Sequence, residues 1–94
     1  MNINFFLTAP LLTDKIYNEE EIINLLIQGD ETAFAQLFDH YRDRIYSIAY
    51  KLTHSTTVAE DVVEDVFLKI WLKRNDMGEI QNFEAYLFTI TRND

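Results

Sequence analysis

Apolar residues along most of this chain recur in three- and four-residue steps, the spacing of helices that bury one face. Asn18 followed by Glu19, Glu20 and Glu21 reads as a helix start, a capping side chain and then carboxylates near the positive end of the helix dipole. Ile22, Ile23, Leu25, Leu26 and Ile27 give this first helix an apolar side, and Gly29 is placed to end it. Asp30 is placed to cap a second helix with the strongest period in the chain. Its stripe is Phe34, Leu37, Phe38, Tyr41, Ile45, Ile48, Ala49 and Leu52, and its stop is expected in the polar run Thr53–Thr57. Thr56 or Thr57 is expected to cap a third helix reaching about Arg74, with Ala59, Val62, Val63, Val66 and Ile70 on its core side. Asn75, Asp76 and Gly78 then break the period. Asn82 opens a fourth helix carrying Phe83, Tyr86, Leu87 and Ile90.

These elements predict an all-α fold, a compact bundle of three to four helices in which the second and third pack antiparallel. Residues 1–18 show no sustained period and hold the chain's one proline, Pro10, so they are expected to form a tail or a loosely docked segment. The helical domain is then 19–94. Nothing in the sequence closes the fourth helix before Asp94, so the domain is expected to be cut within its last helix.

Composition narrows the chemistry. The 94 residues contain no cysteine, which removes disulfides, thiol nucleophiles and thiolate metal sites and points to a reducing, cytoplasmic setting. His40 and His54 have no matching ligands at metal-site spacing, and no motif of a hydrolase triad, P-loop or dinucleotide fold is present, so neither metal, cofactor nor catalysis is expected. No apolar run is long enough to span a membrane. Sixteen acids against eight bases argue against a nucleic-acid binder acting alone. The charge is unevenly placed, however. Residues 55–68 sum to −4, whereas 69–94 sum to zero and hold Lys69, Lys73, Arg74 and Arg92. Two surfaces with two different partners are implied.

Two constellations stand out. On the third helix, at about 100° per residue, Asp61, Glu64, Asp65 and Leu68 lie away from the valine stripe, and Trp71 flanks them. This is either a solvated acidic face with Trp71 tucked into the core, or a docking surface for a basic partner on which Leu68 and Trp71 act as anchors. Further on, Lys69, Lys73 and Arg74, the loop Asn75–Asn82, then Phe83, Tyr86, Phe88 and Arg92 set cations beside rings. That mixture suits single-stranded nucleic acid, although rings at helical spacing also suit an ordinary core.

The string DETAFAQLFDHYRDRIYSIAYKLTHSTTVAEDVVEDVFLKIWLKR, followed by NFEAYLFTITRN, resembles the second conserved region of bacterial sigma factors, and within them the compact extracytoplasmic-function (ECF) type. The likeness rests on an Asp-x-x-Ala-Phe opening, the Ala-Glu-Asp…Phe-Leu-x-x-Trp helix and the Phe-x-x-Tyr-Leu…Arg-Asn helix, in that order. It implies a helical domain of transcription initiation that binds core RNA polymerase and helps melt a promoter. By that resemblance Asp61, Glu64, Asp65, Leu68 and Trp71 face the clamp helices of the largest polymerase subunit. Lys73, Arg74, Asn82, Phe83, Tyr86, Phe88, Arg92 and Asn93 face the single-stranded minus-ten element of promoter DNA, where an unstacked base is captured. An anti-sigma factor is a further implied partner, and the family's upstream-reading helix-turn-helix lies outside this sequence. Tyr86 stands where the family usually has Trp, and Thr89 where a basic residue is common. The alternative is a helical protein-interaction module without DNA contact, such as a decoy or an anti-sigma target.

Overall fold

Every α-helix among the described residues starts on a side-chain cap. In the computed structural model, which describes residues 17–93, four such helices run in order. They are α1 (Glu19–Ile27), α2 (Glu31–Thr53), α3 (Thr56–Leu72) and α4 (Phe83–Arg92), with a 3-10 segment, Arg74–Glu79, between the last two. Asn18, Asp30, Ser55 and Asn82 each accept a hydrogen bond from the backbone N–H three residues on, at 3.1, 3.0, 3.2 and 3.0 Å. Each bond satisfies one of the donors that a helix start leaves unpaired. Three of these caps are the ones the sequence predicts. The exception is α3, which Ser55 caps in place of Thr56 or Thr57. The reason lies one residue earlier, where His54 adopts a left-handed conformation (φ 54). That bends the chain so sharply that Ser55 is the first extended residue, and the helix has begun by Thr56. Gly29 makes the matching bend after α1, at φ +86.

α2 and α3 share the largest interface and run antiparallel, as the two-residue connection requires. The start of α2 meets the end of α3: the Phe67 ring lies 6.3 Å from Phe34 and 4.9 Å from Phe38, and Trp71 lies 5.1 Å from Phe34. Leu37, Tyr41, Ile45 and Ala49 of α2 and Ala59, Val62, Val63, Val66 and Ile70 of α3 are buried, as the stripes predict. Leu52 is not: it is 62% exposed, because the packed layers stop at Ala49 and Ala59, a turn below it. Two large side chains join the core unannounced, besides Ala33 and Ala35. Phe67 fills the α2–α3 interface, and Met77, in a segment that reads as a polar loop, is buried where the 3-10 segment lies against α1. α3 itself ends at Leu72, short of Arg74. Among the described residues there is no strand, and the fold is the all-α bundle expected of the sequence.

A polar clasp joins α1 to α2 and reaches α4. The Glu19 carboxylate accepts hydrogen bonds from the phenols of both Tyr17 and Tyr41. The Tyr17 ring stacks on His40 at 3.7 Å between centroids, and the Arg44 guanidinium lies 4.6 Å over the Tyr41 ring. Arg44 then pairs with Glu84 of α4 at 3.5 Å. Residues 1–16 of the expected tail lie outside the described residues, and Tyr17 is held by the clasp. Burial raises both phenol pKa values well above the ordinary 10, and the Glu19 carboxylate adds to the rise. Burial, followed by the Arg44 charge, lowers the pKa of His40.

A phenol whose pKa is higher in the folded chain favours folding while it stays protonated. That stability is fully present below the unfolded value and drains away as pH rises above it. Urea titrations should therefore show the unfolding free energy falling above about pH 10. Tyr41→Phe should be less stable by about 1–3 kcal/mol at neutral pH and lose less on going alkaline. An alkaline slope identical to wild type would remove the clasp as its cause.

Candidate docking and nucleic-acid surfaces

The inner stripe of α3 is consumed by α2, which leaves its opposite side to solvent. Asp61 and Glu64 are exposed, and Asp65 is half-exposed with its Oδ2 3.1 Å from Lys69 Nζ. Neither Asp61 nor Glu64 makes an ion pair among the described residues. Leu68 stands out beside them, 54% exposed. Of the five residues expected on this face, only Trp71 is drawn partly inward. Its ring leans on Phe34, the Arg74 guanidinium lies 4.3 Å over it, and Arg74 Nη1 donates to the Trp71 carbonyl at 2.8 Å. Trp71 is thus a half-buried edge of the face, with a cation as its lid.

Phe67, Leu68 and Trp71 of α3 and Phe34 and Phe38 of α2 line a notch of about 360 Å³ in the α2–α3 seam. Glu31 and Glu64 stand at its rim. Sequence reasoning misses its α2 wall and Phe67. The available signal is that Phe67 and Trp71 are one helical turn apart and flank Leu68, so a buried ring, an exposed leucine and a half-buried indole fall within five positions. What no pattern supplies is which part of α2 would face them.

The second constellation is less united. Lys73 is exposed, but Arg74 is folded back on Trp71. Asn82 uses its side-chain oxygen as the α4 cap. Phe83 is only 7% exposed, its ring 5.8 Å from that of Tyr41, so it belongs to the core and offers no open stacking face. Tyr86 and Phe88 are half-buried, and Arg92 and Asn93 are exposed at the far end of α4. Among the described residues no hydrogen bond, ion pair or ring contact links Lys73 or Arg74 to Tyr86, Phe88, Arg92 or Asn93. The loop does form a second concavity, of about 410 Å³, against α1. Met77, Gly78, Ile80, Gln81 and an edge of Phe83 line it from one side, and Glu19, Glu20, Ile23 and Asn24 from the other. The α1 contribution is invisible in the sequence, because it depends on the 3-10 segment folding under that helix.

No group of three or more His, Cys, Asp or Glu side chains among the described residues is placed to hold a metal ion. No helix among them is long and apolar enough to cross a membrane.

The helical bundle thus presents two separate surfaces, an outward acidic helix face and a loop-lined concavity. The chain belongs to the Sigma-70 region 2 family, whose model matches residues 37–94. Its role is accordingly that of a sigma-factor region 2, in core RNA polymerase binding and promoter melting during transcription initiation. No curated protein and no solved structure matches the chain.

The chain's one tryptophan makes the Arg74 lid directly observable. Arg74→Ala should shift Trp71 emission to longer wavelength and increase its quenching by acrylamide. The expected stability loss is about 1 kcal/mol, from one cation–π contact and one hydrogen bond. Unchanged emission would mean that Arg74 does not cover the indole in solution.

Proposed function

We propose that this chain is region 2 of an ECF-type sigma factor, with 19–94 as the domain proper and 1–18 as a leading segment whose last two residues, Tyr17 and Asn18, are tied to the domain by the clasp and the α1 cap. It docks on the clamp helices of the largest polymerase subunit through Asp61, Glu64, Asp65 and Leu68, with Trp71 at the edge of the contact. The observation that carries this reading is the two-sidedness of α3. Its valines are used up in the core, while its carboxylates and Leu68 face out together. Exposed carboxylates steer a cationic partner and form charge-assisted hydrogen bonds with its arginines, while the leucine supplies apolar area on contact. An anti-sigma factor that occupies the same face would exclude polymerase by competition. The site of action is the cytoplasm, where polymerase works.

The DNA-facing half of the proposal uses the loop concavity and α4. Extruding a base from the minus-ten element costs a few kcal/mol, which a pocket must offset. Glu20, Asn24 and Gln81 offer hydrogen-bonding groups to a base edge, and the carboxylates repel phosphate, so a base and not the backbone is the fitting occupant. Lys73, Arg92 and Asn93 are the exposed groups for the strand, and Tyr86 and Phe88 the partly open rings. Phe83 contributes only its edge, Asn82 acts by starting α4, and Arg74 acts through Trp71.

Docking is tested by surface-immobilised clamp-helix hairpin. The wild-type chain should bind it, and Asp61→Lys with Asp65→Lys should weaken binding by more than about tenfold while leaving the circular dichroism unchanged. Absence of wild-type binding would overturn the assignment. For the second surface, holoenzyme assembled with this chain should bind a labelled single-stranded minus-ten oligonucleotide. Tyr86→Ala should lower that affinity by at least about fivefold, the loss of one stacking contact. An unaffected Tyr86→Ala holoenzyme would leave the chain with docking alone.

A further inference from the structure

Glu19 belongs to two structures at once. It is the hub of the clasp between α1 and α2, and it lines the concavity between α1 and the loop. The clasp uses one atom of it. Tyr17 and Tyr41 both donate to Oε1, Tyr17 at 3.2 Å, and together they engage the lone pairs of that oxygen. Oε2 makes no hydrogen bond or ion pair among the described residues. Both phenols are themselves held. The Tyr17 ring stacks on His40 at 3.7 Å, and the Tyr41 ring is buried 5.8 Å from Phe83, whose edge lines the same concavity. One wall of the concavity thus carries a carboxylate that is fixed from behind by one oxygen and keeps the other for an occupant.

We infer that Glu19 is a specificity-determining residue of this concavity, and that it selects a base with an exocyclic amino group, adenine or cytosine, against thymine. The inference rests on the base-capture reading proposed above, and it concerns a residue ahead of the 37–94 stretch that the family model matches. A carboxylate oxygen only accepts. It bonds the N6 amino group of adenine or the N4 amino group of cytosine, and it repels the O4 carbonyl that thymine carries in the same place. Guanine has two edge donors that suit two free oxygens, but here Oε1 is already taken. The other polar groups of the concavity do not discriminate in this way. The amides of Asn24 and Gln81 can each present a donor or an acceptor, and Glu20 is exposed, its side chain tethered by no hydrogen bond or ion pair among the described residues. The clasp also fixes what an isosteric change does. In Glu19→Gln the two phenol protons still need an acceptor, so the amide oxygen stays on Tyr17 and Tyr41 and the NH2 group takes the place of Oε2. An acceptor facing the occupant becomes a donor while the clasp is kept, and preference should turn from the amino group to the thymine carbonyl.

The test uses holoenzyme assembled with the full 94-residue chain to select strands from a single-stranded DNA pool randomised over the minus-ten element, read by sequencing. With the wild-type chain, one position should favour adenine or cytosine over thymine by about fivefold or more, the discrimination given by one such bond. With Glu19→Gln that position alone should turn toward thymine by a similar factor, and the circular dichroism should be unchanged. Glu20→Gln, on the same wall but untethered, should leave the preference as it was. Tyr17→Phe frees one lone pair of Oε1 and should raise guanine at that position. The same preference with wild type and Glu19→Gln overturns the inference and leaves base capture standing. So does a Glu20→Gln chain that shifts the preference as Glu19→Gln does. Loss of preference at every position with Glu19→Gln makes the residue purely structural and also overturns it. A wild-type selection with no preferred base at any position overturns base capture, and the role of Glu19 with it.

Discussion

The ring contacts between the start of α2 and the end of α3 are the constraint on which the rest of the structure depends. Phe34 and Phe38 against Phe67 and Trp71 fix how α3 is rotated about its own axis. That rotation turns Val62, Val63 and Val66 inward and so turns Asp61, Glu64 and Leu68 out. The core and the proposed docking face are thus two consequences of how α3 is turned about its axis. A small domain has little surface to spare, and using both sides of one helix for different purposes is economical.

The second surface depends on a different kind of interaction. α1 is short, nine residues, and would not persist alone in water. It is held by Ile22 and Leu26 in the core and by the Glu19 clasp. The clasp ties it to Tyr41, and through Arg44 and Glu84 to α4. The α1 wall of the concavity is therefore held in place jointly by apolar packing and by a hydrogen-bonded carboxylate. The outward face of α3 is set by apolar packing, whereas the loop concavity depends in part on a polar network.

Much of this was legible in the residues. The four helices, three of their caps and most of the core follow from period and capping chemistry, and the family resemblance located α3 as the outward face. The parts that stayed hidden share a physical character. Ser55 caps α3 because His54 takes a left-handed conformation, which no local propensity demands of histidine. Met77 is buried because α1 crosses the 3-10 segment, a contact between elements some fifty residues apart in sequence. Phe83 and Arg74 looked like nucleic-acid contacts because a ring or a cation has the same identity whether it faces a strand or a neighbour. Only placement separates the two: Phe83 beside Tyr41, Arg74 above Trp71.

The connection between α2 and α3 is two residues long, His54 and Ser55, and it joins the helices with the largest mutual interface. Pairings between sequence neighbours form fastest, because little chain entropy is lost in closing so short a loop. The α2–α3 hairpin is therefore the pairing expected to form ahead of the longer-range contacts that bring in α1 and α4. The ridge proposed for polymerase docking is thus shaped ahead of the concavity proposed for the promoter.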